Sequence, residues 1–148
     1  MLNSIFDLAL TLAGIGHYCI LMASFQVPHR LGWKEDLIKL TSFNRKLMWT
    51  YGVFTVFTIV SFGTLTLLLK EELLRGDRAT LALAVFIGLF WFFRIVADCF
   101  YFDHNDWPKG RVFVIGHVML TGLFTCLSGT YLGLVIWHYQ NGHFIYIR

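Results

Sequence analysis

Two full charges stand one helical turn apart inside an otherwise apolar run, FWFFRIVADCF: Arg94 and Asp98. At i and i+4 on a helix their side chains share a face and can pair directly. Two histidines, His17 and His117, lie in other apolar stretches, and Tyr18, Tyr51 and Thr55 add hydroxyls. Imidazole ligates metals and haem iron as its neutral form. His17 and His117 are therefore candidate axial haem ligands, or partners of Asp98 around a metal. Together with Arg94 they are equally candidates to hold a quinone or a lipid headgroup. Two readings compete with a cofactor site. One is a polar network that fixes helix register, with Arg94 satisfied by Asp98 and a carbonyl. The other is a proton or ion path. The remaining histidines offer less. His29 sits in VPHR, His138 and His143 are five apart in WHYQNGH, and Asp103, His104 and Asp106 crowd a turn before Pro108.

The elements that must carry these residues follow from composition. The 148-residue chain is 57% hydrophobic and 14% charged, against about 45–50% and about 25% in soluble domains. A bilayer span needs about 20 mostly apolar residues, and four segments qualify: about 4–26, 46–69, 79–102 and 112–137. Pro28 and Pro108, the two prolines, both fall between spans, which leaves the helical ladders unbroken. The expected fold is an all-α integral membrane protein, a single domain over 1–148 built as a four-transmembrane-helix bundle. A charge at the bilayer centre costs ~2.5–3.5 kcal/mol on insertion scales, so Arg94 and Asp98 should face the bundle interior. At about 1.5 Å per residue, Asp98, His117, Arg94 and His17 stand about 7, 9, 13 and 15 Å from one end of the spans. They gather in one half of the bilayer, with Tyr18, Tyr51 and Thr55 at similar depth.

Lys and Arg set the orientation. Arg30, Lys34, Lys39, Arg45, Lys46, Lys109 and Arg111 flank one side; Lys70, Arg75, Arg78 and Arg148 flank the other, where Glu71, Glu72 and Asp77 dilute them. Both termini are expected outside, in a plasma or bacterial inner membrane. Trp49 and Trp107 would mark the inner boundary, Trp137 and Tyr139 the outer one. In the first loop Trp33, Leu37, Leu40, Phe43 and Leu47 recur at three- and four-residue steps, which predicts a short amphipathic interfacial helix over about 31–44.

In the last span Gly122, Cys126, Gly129 and Gly133 form a small-residue stripe that includes GTYLG. Such stripes let two backbones approach closely in lipid; within a bundle this one would be an internal contact, and otherwise a face for another subunit or a second copy. Cys19, Cys99 and Cys126 form no CxxC and read as buried small hydrophobes. The first apolar segment lacks a basic n-region and is expected to be a retained helix. No basic run interleaved with aromatics suggests nucleic-acid binding. Histidine boxes, HExxH, GxSxG and a P-loop are absent from the sequence. The expectation is a non-enzymatic accessory or scaffold subunit of a membrane complex, in contact with membrane lipids and with other subunits or a homo-oligomer. The alternatives are a small redox or ligand-binding protein holding haem, metal, quinone or lipid, and an oligomeric small transporter.

Overall fold

The computed structural model describes residues 2–30, 32–102 and 110–141. Asp103, His104, Asp106, Trp107 and His143 lie outside them. Every regular element among the described residues is a helix: α1 (Leu2–Ser24), α2 (Val27–Arg30), α3 (Trp33–Ile38), α4 (Ser42–Leu68), α5 (Lys70–Arg75), α6 (Arg78–Phe100) and α7 (Arg111–Gln140). Four stretches, Ser4–Ser24, Ser42–Leu68, Arg78–Phe100 and Phe113–Gln140, are long and apolar enough to cross a membrane.

Local chemistry sets the bounds. The helix expected over 31–44 divides into α3 and the start of α4. Thr41 separates them, because its hydroxyl accepts from the Asn44 amide at 3.4 Å and caps α4. Trp33 and Trp49 still join the two helices, their ring centroids 6.5 Å apart. At the other end α5 stops at Gly76, whose φ of 83° lies in the left-handed region that glycine adopts without strain. The amides of Gly76 and Asp77 both return to the Glu72 carbonyl.

The four long helices run antiparallel to their packing neighbours: α1 against α4 and α7, and α6 against α7. Phe6 stacks near Trp137, and Asp7 pairs with Lys70 at 2.8 Å. The start of α1, the α4–α5 junction and the end of α7 therefore share one end of the bundle. Between α4 and α6 the contact runs through Phe62 against Phe86 and Phe90. The buried residues recur every seventh position: Leu10 and His17 on α1, Ile59 and Thr66 on α4, Ala84, Trp91 and Asp98 on α6, Phe124, Tyr131 and His138 on α7. That spacing keeps one seam of each helix turned inward.

Glycines bring the backbones together, but not those of the GTYLG stripe. A Cβ on Gly63 of α4 would stand 3.0 Å from the Cβ of His17 and 3.1 Å from the carbonyl of Gly14. One on Gly88 of α6 would stand 2.8 Å from Leu132. At Gly122, Gly129 and Gly133 it would meet nothing within 4 Å, and Cys126 is exposed. The expected internal packing role of Gly122, Cys126, Gly129 and Gly133 is thus corrected: in this bundle the stripe faces outward. Cys19 and Cys99 are likewise exposed rather than buried, because both stand off the inward seams.

Candidate functional site

Hydroxyls on the helices divide into two kinds. Those of Thr50, Thr55, Thr58, Ser61 and Thr125 bond back to the carbonyl four residues earlier, each at 2.9 Å. In apolar surroundings that return satisfies the group within its own helix. A smaller set reaches across helices, and it marks where polar chemistry is shared.

The first shared group centres on His17, which is fully buried. Its Nε2 lies 3.0 Å from Trp91 Nε1, and its Nδ1 lies 2.7 Å from the Ala13 carbonyl. An indole N–H only donates and a carbonyl only accepts. Nε2 therefore accepts from Trp91, and Nδ1 carries the proton and donates to Ala13. Phe62 and Tyr131 set their rings 6.1 and 6.0 Å from the imidazole. Thr66 donates to the Phe62 carbonyl at 2.7 Å, which leaves its oxygen to accept from the Tyr131 hydroxyl at 2.6 Å. All four long helices meet at this point. The imidazole is neutral, and both nitrogens are engaged. In this arrangement His17 offers no lone pair to iron or any other metal.

The second group lies between α6 and α7. Oδ2 of Asp98 accepts from Thr121 at 3.2 Å and stands 3.1 Å from His117 Nε2. Oδ1 faces Arg94 Nη1 at 3.7 Å, beyond hydrogen-bond reach. The Asp98 side chain is 9% exposed and that of Arg94 42%, so the pair straddles the bundle surface instead of sitting within it. Arg94 also lies over the rings of Phe124 and Phe102, at 5.6 and 5.8 Å. Beside it α6 carries an open apolar groove of about 590 Å³, lined by Phe86, Leu89, Phe90, Phe93, Arg94 and Ala97.

His17 and His117 belong to different groups. Their partners on α6, Trp91 and Asp98, are two turns apart, about 10 Å along the axis. A single metal ion, with ligand bonds of about 2 Å, does not span that distance. Among the described residues no three His, Cys, Asp or Glu side chains cluster to hold a metal. Tyr18 bonds Thr64 at 2.7 Å and ties α1 to α4. Thr55 bonds only the carbonyl of Tyr51 among the described hydrogen bonds, and neither joins the Asp98 group there.

Trp91, Tyr131, Thr66 and Thr121 escaped the sequence reading, although Thr121 follows His117 by one turn. His138 did too. It is buried, donates from Nε2 to the Leu73 carbonyl at 3.1 Å, and packs on Gly76, where a Cβ would stand 2.6 Å from its ring. The seven-residue step from His117 through Phe124 and Tyr131 to His138 was the available signal. Compared with known proteins, the chain matches no family model, no curated protein and no solved structure.

Proposed function

We propose that this chain is a small multi-pass membrane protein acting as a non-enzymatic accessory or scaffold subunit of a membrane complex. The observation that carries the reading is the outward stripe of Gly122, Cys126, Gly129 and Gly133. Among the described residues nothing lies against a Cβ at its three glycines, while the internal close approaches use other glycines. Small residues in register suit close backbone contact with another helix. The interior adds support of a different kind, because the donors and acceptors around His17 close on one another. Seven of the eleven loop and terminal cations flank the end that holds α3, which supports a cytoplasmic α3 end with both termini outside. On this reading α3, with Leu37 inward and Lys34 and Lys39 outward, lies in the headgroup plane.

Gly129→Leu tests it. The added side chain has room within the monomer, so the bundle should keep its thermal unfolding temperature. Membrane-protein partners or second copies retained from native membranes should fall about tenfold or more, as expected for a residue central to an interface. A wild-type protein that runs as a lone monomer in mild detergent, with no co-purifying subunit, would remove the basis for the proposal.

A second reading has its own observation. Arg94 stands half-exposed at the mouth of an apolar groove, so ligand binding, if the chain does it, belongs on the flank of α6 and not at His17.

A further inference from the structure

We propose that the α6 groove seats an anionic phospholipid from the leaflet at the α3 end, with its phosphate on Arg94 and an acyl chain along Phe93, Phe90, Leu89 and Phe86. Four observations converge on that occupant. The Arg94 side chain is far more exposed than that of Asp98 beside it, and the separation of 3.7 Å leaves the guanidinium N–H groups without a short bond to Asp98. Asp98 is already served from α7, by Thr121 and by His117 through Oδ2. The Asp98 pairing therefore does not use up the donors of Arg94. In hydrocarbon an N–H without an acceptor is costly, and lipid tails supply none.

The direction of the side chain is the third observation. The central carbon of the guanidinium lies 5.8 Å from the ring of Phe102, a residue beyond the end of α6. The guanidinium thus lies between that ring and Phe124, 5.6 Å away on α7, with Asp98 and Phe102 both on its α3 side, the side on which a long cation reaches for the headgroup layer. The last observation is the course of the groove. From Ala97 and Arg94 it runs to Phe86, eleven residues and about 16 Å along the axis, away from the helix end and past the middle of the span Arg78–Phe100. A cation on the α3 side and apolar rings beyond it match the polarity of a phospholipid lying along the helix from that leaflet. Its volume of about 590 Å³ lies within the ~300–1,000 Å³ of ordinary ligand sites. A planar guanidinium also offers paired donors that fit a phosphate.

The test is native mass spectrometry of the full chain, delipidated in neutral detergent and titrated with phosphatidylglycerol or phosphatidylcholine of matched chains. Wild type should retain the anionic lipid about fivefold more tightly, the order expected of one well-placed cation. Arg94→Gln should bring that ratio to about one. Leu89→Trp, which fills the groove and keeps the cation, should weaken both lipids while preserving the ratio. Excess inorganic phosphate should not displace the bound lipid.

An Arg94→Gln ratio equal to wild type would overturn the site. So would undiminished binding by Leu89→Trp, which decides the matter alone if Arg94→Gln fails to fold. Displacement by inorganic phosphate would make the site one for a free anion and overturn the lipid assignment. Equal retention of both lipids by wild type, with an acidic membrane helix held through Arg94 instead, would do the same. The accessory-subunit reading is judged separately, by Gly129→Leu on another helix, so either can fail without the other.

Discussion

His17 and Asp98 are both buried and ionisable, yet they are held in opposite ways. Around His17, side chains from all four long helices converge, and each ring nitrogen meets one partner of the right kind. Asp98 is held by two helices, and the Arg94 side chain beside it is half-exposed and lies over Phe102 and Phe124. A continuous set of rings joins the two groups: Arg94 lies over Phe124, Phe124 stacks on Trp91 at 4.8 Å, and Trp91 donates to His17. The difference teaches where to look for activity in a small membrane bundle. Burial of an ionisable group does not mark a working site when its hydrogen bonds close within the protein. The proposed lipid site lies instead at Arg94, whose side chain is half-exposed beside an apolar groove.

The contrast can be broken most severely at the glycines. Gly63→Leu would drive a side chain into the Gly14 carbonyl and the Cβ of His17. Overpacking of this kind costs about 3 kcal/mol or more when backbone must move, and thermal melts should show little or no folded bundle. Next comes His17→Phe. It strands the Trp91 N–H in an apolar core, at about 1–3 kcal/mol, and should lower the unfolding temperature. Any haem or metal that the purified protein carries should stay at wild-type occupancy per folded chain, measured by visible absorption and metal analysis. Loss of that occupancy would return His17 to the ligand role its sequence position suggests.

Tyr131→Phe removes the hydroxyl that meets Thr66 at 2.6 Å and should cost about 1 kcal/mol, the usual net worth of such a bond. Arg94→Gln should have the smallest effect on folding, because its long contact to Asp98 is half in the open. Melting temperatures within error of wild type would fit, whereas a drop as large as that of His17→Phe would make Arg94 a structural residue.

Much of the architecture was legible. Four long apolar stretches and the placement of both prolines between them foretold the helices, and the four-residue step foretold the Arg94–Asp98 pairing. Helix facing was not legible from apolarity, because lipid accepts the same residues as the interior and an inward face carries no polar contrast. The eye then falls on GTYLG, while the seven-residue recurrence of Trp91 and Asp98, or of Phe124, Tyr131 and His138, passes as apolar filling. Depth alone placed His17 with His117. Only the folded bundle, which brings Trp91 of α6 to 3.0 Å from His17, shows that Trp91, not His117, is the partner of His17. The boundary near Thr41 was hidden for another reason: the apolar period of Leu37, Leu40 and Phe43 continues straight across a capping hydroxyl.

The most direct test of an interior that closes on itself and a flank that works outward is the mass of the native particle. Protein extracted gently from its own membrane, as wild type and as Gly129→Leu, would be weighed by native mass spectrometry. The account predicts wild type bound to at least one further polypeptide, and Gly129→Leu at the mass of the 17.1 kDa chain with an unchanged melting temperature. A wild-type particle of one chain, with no other polypeptide bound, would contradict it.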